Sequence, residues 1–209
     1  MRHIPAHETK DAEVLTFAEA LRPVSTDYDR GAWLYVPDHY SEYRYILGTR
    51  GARPLICIGV NPSTAIPGRL DNTLKSAERI ALFNGFDSFL MFNVYAQRAT
   101  IPDDMDRELN PVLHAENLKA FRYVLERSGD SPAVWAAWGA VIEKRAYLPG
   151  CVRDMVRLGE AYHARWLIAG PRSRAGHPHH PLYLKKDSPL EPFTDLEEYL
   201  RSLERRNQK

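Results

Sequence analysis

The chain has 209 residues, with 28 Lys and Arg against 27 Asp and Glu, and its net charge of +1 is too small to announce a nucleic-acid partner by itself. Hydrophobic residues at 44% and charged residues at 26% exclude disordered and fibrous classes, and the length suits one globular domain over residues 1–209. Cys57 and Cys151 form no C-x-x-C pair, which excludes a disulfide framework, a zinc ribbon or a cysteine-held cluster; no cofactor is expected.

Residues 1–50 read as an N-terminal helix and a short strand pair. The opening residues lack the apolar segment of a signal peptide and no run is long enough to span a bilayer, so a cytoplasmic protein without a membrane partner is expected. Val14, Phe17, Ala18 and Leu21 recur at helical spacing, predicting a helix from Ala12 to Leu21 that Pro23 ends. Trp33–Val36 and Tyr43–Leu47 are aromatic and β-branched runs on either side of Pro37-Asp38-His39, which predicts paired strands.

Residues 51–186 form the predicted core. Leu55–Val60 is a continuous apolar run, suited to a strand covered by helices on both faces. A Pro/Gly loop, a helix from Asp71 to Phe83, a strand from Ser88 to Tyr95, a helix from Pro111 to Arg127 and a strand from Ala133 to Trp138 follow. Val141–Leu158 reads as a helix broken at Pro149-Gly150, and Arg165–Ala169 as a fourth strand. Residues 187–209 close the chain with an amphipathic helix over Leu196–Leu203. This alternation predicts a three-layer α/β/α sandwich around a central, mainly parallel four-stranded sheet.

The candidate chemistry lies at the predicted strand ends, where ligands bind in open α/β sheets. Asn61 follows the first core strand, Asn93 ends the second, Trp138-Gly139 the third, and His177-Pro178-His179-His180-Pro181-Leu182 lies beyond the fourth. Each has a plainer reading: Asn61 as a turn former, Asn93 as a satisfied buried amide. The histidine cluster has no Asp, Glu or Cys beside it, so no metal is expected there. Between Arg165 and Lys186 there are five Lys and Arg and no acid, a segment that either faces phosphates or is simply solvated.

Gly59-Val60-Asn61-Pro62, the strand residue Asn93, Trp138-Gly139, and His177-Pro178 with Pro181-Leu182 resemble the ordered motifs of the uracil-DNA glycosylase superfamily. Asn61-Pro62-Ser63-Thr64-Ala65 together with Gly176-His177-Pro178-His179-His180-Pro181-Leu182-Tyr183-Leu184 is also similar to a bacterial family of unknown function, over roughly Tyr43 to Leu184. The resemblance implies a uracil-DNA-glycosylase-like fold and a monofunctional DNA glycosylase, acting as a monomer on DNA. By that resemblance Asn61 positions the attacking water, Asn93 reads the base edge, and His177 donates to the base oxygen as charge builds on the leaving group. Such a reaction passes through an oxocarbenium-like state, and an amide orients water without taking its proton.

The same comparison places Gly59, Pro62, Ser63, Thr64 and His180 around the substrate. Ser63 and Thr64 stand where uracil-specific enzymes carry an aromatic residue, so the implied substrate is a modified, damaged or mismatched pyrimidine, 5-substituted ones included. Their hydroxyls are equally suited to capping the next helix. The last motif has two registers, His177-Pro178 or His180-Pro181; Gly176 favours the first. Leu182 and Tyr183 are candidates for an intercalating wedge, or for a short strand, and Arg98, Arg172, Arg174, Lys185 and Lys186 for phosphate contacts. Two other classes remain open at this point: a non-catalytic nucleotide or nucleic-acid sensor, and a hydrolase of free nucleosides or nucleotides.

Overall fold

A computed structural model of the protein describes residues 2–25 and 27–207. Seven strands form one mixed sheet: β1 (Trp33–Val36), β2 (Ile46–Thr49), β3 (Pro54–Gly59), β4 (Ser88–Asn93), β5 (Ala133–Ala136), β6 (Arg165–Ala169) and β7 (Leu190–Pro192), in the order β1-β2-β4-β3-β5-β6-β7. β3 pairs in parallel with β4 and β5, and β5 with β6, while β1, β2 and β7 join antiparallel at the edges. The α/β class is as expected; the four-stranded sheet is corrected to seven strands. β7 escaped notice because Leu190-Glu191-Pro192 is three residues long, with a proline that only an edge accepts.

Every residue of β3 is buried, and its alternation splits it between two cores. Leu55 and Cys57 pack with Leu74, Ala77, Ile80 and Ala81 of helix α2 (Asn72–Phe83). Ile56 and Ile58 face the other core, built from α1 (Phe17–Ala20), α3 (Pro111–Leu125), α4 (Leu148–Glu160) and α5 (Leu196–Asn207). Removing both faces from water is what a run with no polar alternation requires.

Several boundaries differ from the sequence reading for local reasons. α1 begins only at Phe17, because Thr16 and Glu19 close a capping box at 3.2 Å and 3.0 Å. Pro149 starts α4 instead of breaking it, since a first-turn proline removes an N–H that has no helical partner anyway. β2 starts at Ile46, because Tyr43 and Arg44 pair instead with the segment beyond β4: Tyr43 bridges Gln97, and Arg44 N donates to Ala96 O at 2.9 Å.

This topology places a crevice at the carboxyl end of β3. The chain leaves β3 toward α2 on one face, whereas β4 and β5 lead to α3 and α4 on the other. Loops that part to opposite faces open a cleft between neighbouring strand ends.

Candidate functional site

A cavity of about 910 Å³ opens at this point, lined by residues of β3, β4, the N-terminus of α2 and the loops after β5 and β6. Its wall includes Gly59, Asn61, Pro62, Ser63, Asn93, Trp138-Gly139, Pro178, His180, Leu182 and Tyr183. Segments far apart in sequence therefore meet around one space.

Asn93 stands out. It continues the side of β4 that carries Phe89 and Met91, the α2 side of the sheet, and is 1% exposed. Neither Oδ1 nor Nδ2 has a hydrogen-bond partner. A buried primary amide with both ends unsatisfied costs free energy, and in a cavity wall it is a donor–acceptor pair awaiting a ligand. Gly59, its register partner on β3, makes room: a Cβ there would lie 3.2 Å from Asn93 Oδ1 and 2.6 Å from Met91 Cε.

Asn61 is oriented by its surroundings. Nδ2 donates to Ala99 O at 2.7 Å and to Pro62 O at 3.1 Å, so the two carbonyls fix which end of the amide is nitrogen and leave Oδ1 as the free acceptor. Ser63 Oγ and Thr100 Oγ1 lie 3.1 Å apart across the rim. Neither Ser63 nor Thr64 caps α2; Asp71 does, accepting from Leu74 N at 2.9 Å. Thr64 stands outside the cavity wall, which corrects its assignment to the substrate.

The two histidine registers separate cleanly. His177 is fully buried outside the cavity wall, with Nδ1 3.0 Å from Tyr199 Oη. That hydroxyl accepts from Trp138 Nε1 at 2.9 Å and bridges the indole to His177 Nδ1. Nε2 lies 3.3 Å from Glu143 Oε1, too poorly aligned for a hydrogen bond. His177 is thus a brace between Trp138, Tyr199 and Glu143, and its expected place on the substrate is corrected.

His180 lines the cavity instead. Gly139 lets it approach: that residue has φ +60°, and a Cβ on it would lie 3.4 Å from His180 Cβ. Burial pulls His180 below the ordinary histidine value, with the Asp71 charge opposing. Nδ1 accepts a long 3.4 Å bond from Leu182 N, which leaves the neutral ring with its proton on Nε2.

The expected phosphate contacts divide. Arg98 is 0% exposed and is corrected to a loop anchor: it donates to Ser63 O, to Ala65 O at 3.3 Å and to Tyr35 Oη at 3.0 Å, over the Tyr40 ring at 4.4 Å. Arg172 is half-buried and pairs with Asp195 at 2.5 Å. Arg174, Lys185 and Lys186 are exposed. Leu182 and Tyr183, 46% and 77% exposed, sit at the cavity mouth in a 3-10 turn over Pro181–Tyr183, not a strand.

Sequence reasoning missed Arg44, which is 1% exposed and lines the cavity. It donates to Ala65 O at 3.2 Å, and its Nε has no partner. Burial lowers its pKa to about 9, which keeps it charged at neutral pH. A lone arginine inside the aromatic run Tyr43-Arg44-Tyr45 was the available signal. Asp71, Thr73 and Thr100 of the wall were also missed, because helix starts and loop tips carry no periodicity.

Fold and site together define an α/β protein with a ligand crevice at the carboxyl ends of its central strands. Residues 44–182 match the family model described as protein of unknown function DUF1643, more than half of the chain, and the protein belongs to that family. No curated protein and no solved structure matches it. None of the described helices is long and apolar enough to cross a membrane.

Proposed function

We propose that the protein is a monofunctional N-glycosyl hydrolase that removes a modified or mismatched, 5-substituted pyrimidine from DNA and leaves an abasic site. The observation that carries this reading is Asn93, a buried amide in the cavity wall with both polar ends free. A pyrimidine edge presents adjacent donor and acceptor groups, and one primary amide can meet both. The likeness of the Gly59–Pro62, Asn93, Trp138-Gly139 and histidine–proline segments to the uracil-DNA glycosylase superfamily supports the same reading.

In this mechanism Asn61 Oδ1 accepts a hydrogen bond from a water and directs its oxygen at the anomeric carbon. The bond from that carbon to the base nitrogen breaks, and its electron pair leaves with the base. His180, neutral with its proton on Nε2, donates a hydrogen bond to the departing base oxygen, where charge develops. The water's proton passes to solvent, since the Asn61 amide cannot take it up. Among the described residues the cavity wall contains no lysine, so this mechanism has no Schiff-base step and leaves the strand intact. Small Ser63 beside Pro62 leaves space at the base 5-position, and Leu182 and Tyr183 at the mouth are placed to fill the gap that an extruded base leaves.

The test is incubation with single strands and duplexes carrying uracil, thymine mismatches or 5-substituted cytosines, followed by alkali. Alkali-labile sites are expected on at least one of these substrates. Asn61→Ala and His180→Ala should each lower the rate by roughly 10²–10³-fold, the scale of a lost transition-state contact. Absence of labile sites on every substrate, or undiminished rates in both variants, refutes the assignment.

A further inference from the structure

The wall of the cavity holds positive charge that base excision does not use. Arg44 and Arg98 both reach the carbonyl of Ala65, at 3.2 Å and 3.3 Å, which brings two buried guanidiniums together. Among the described residues neither has a carboxylate at ion-pair distance, and the Nε of each is unpartnered. Burying cations without an ion-paired carboxylate is expensive, so the retention of Arg44 in the wall of an open cavity, with Arg98 behind it, points to an anion supplied from outside. Among the described residues Asp71 is the acidic side chain in the same wall; its charge favours the cationic form of Arg44 from beyond ion-pair distance, and one of its oxygens accepts from Leu74 N.

The first turn of α2 adds to this field. Asn72, Thr73 and Leu74 line the cavity at the positive end of a 12-residue helix. Asp71 satisfies Leu74 N, while the backbone N–H groups of Asn72 and Thr73 have no protein acceptor among the described residues. Free N–H groups at a helix start bind anions, and phosphate above all. The cavity volume of about 910 Å³ also lies at the upper end of what encloses a drug-sized ligand, far more than one base requires.

We propose that Arg44 and the first turn of α2 form a phosphate subsite, so that the cavity holds a pyrimidine nucleotide by its base and its phosphate ester together. The choice of a pyrimidine rests on the Asn93 reading above; the phosphate subsite rests on Arg44 and α2 alone. The ester belongs either to a free nucleotide or to the target nucleotide of a DNA strand, and binding measurements distinguish the two.

Calorimetry at fixed ionic strength compares thymidine, deoxyuridine and a 5-hydroxymethylated deoxycytidine with their 5′-monophosphates and with short single strands containing them. The phosphorylated form should bind about tenfold or more tightly than the nucleoside, as one charge-assisted contact predicts. Inorganic phosphate should compete with it and should raise the melting temperature relative to chloride. Arg44→Gln should bring the two forms to within about twofold of each other. Asn72→Pro is the second variant: proline is accepted at the first helical position and removes one N–H, so the preference should weaken while the fold stays intact. It carries the test alone if Arg44→Gln does not fold.

Tight binding of the monophosphates assigns a free nucleotide; tight binding of the strands alone, still lost in both variants, assigns DNA. Equal binding of phosphorylated and unphosphorylated forms, indifference to inorganic phosphate, or a preference that survives both variants overturns the subsite. Failure of the alkali assay with Arg44-dependent binding intact removes the glycosylase reading and leaves the subsite standing.

Discussion

The Asn93 amide has no hydrogen-bond partner among the described residues, and this has opposite consequences for stability and for binding. Leaving a buried amide unsatisfied costs about 1–3 kcal/mol, while an apolar side chain of similar size incurs no such loss. Asn93→Leu is therefore expected to melt no lower than the parent, and up to several degrees higher by the usual scaling for a chain of this length, while losing all base binding. Calorimetry of melting together with a ligand titration checks both halves. A large fall in melting temperature would mean that the amide is satisfied in the free protein and is structural. The histidines show the reverse pattern. His177→Phe should weaken folding, because the buried Tyr199 Oη loses its imidazole partner, yet the folded fraction should retain normal binding. Only the three-dimensional packing separates His177 from His180: both precede a proline, and the glycine favours His177, which lies outside the cavity wall.

At the scale of elements, the central strands were legible because they are buried on both faces and read as nearly unbroken apolar runs; β3, β4 and β5 fall within a residue or two of the predicted bounds. What escaped depended on partners distant in sequence. β2 slides because Tyr43 and Arg44 find hydrogen bonds beyond β4, and β7 exists because β6 offers it an edge. Asn61 and Asn93 were legible as polar residues ending apolar strands, whereas Arg44 was not, since nothing local shows that its charge is buried. The β3–β4 register gives this a test. In Gly59→Ala the new methyl meets the mobile end of Met91 and the Asn93 amide, with no positive φ to strain. Secondary structure and melting should change little, because Met91 Cε can yield, but affinity for the base should fall at least tenfold as the amide is displaced. Unchanged affinity would show that Asn93 does not read the ligand.

At the scale of the whole molecule, the imidazoles of His177 and His180 both bear on how the protein responds to acid, because the fold pulls each below the ordinary histidine value. Burial lowers the pKa of His177, with Glu143 opposing and Arg206 assisting; burial also lowers that of His180, with Asp71 opposing. Unfolded, each takes up its proton near 6.5; folded, each does so only at lower pH. Between the folded values and 6.5 the unfolded chain binds more protons, so stability rises with pH through that window and is complete above it. The melting temperature should therefore stay level from about pH 8 to 7 and decline as the pH drops below about 6.5, before the carboxylates begin to titrate. His177→Gln, which keeps a polar side chain without a titrating ring, should start from a lower plateau and decline less steeply. Base binding should follow the same direction through His180, whose added proton would put a second positive charge in a cavity wall that already holds Arg44. Melting curves taken every half unit of pH decide it: a level profile down to about pH 5, or one that rises on acidification, would mean that neither ring is kept neutral by the fold.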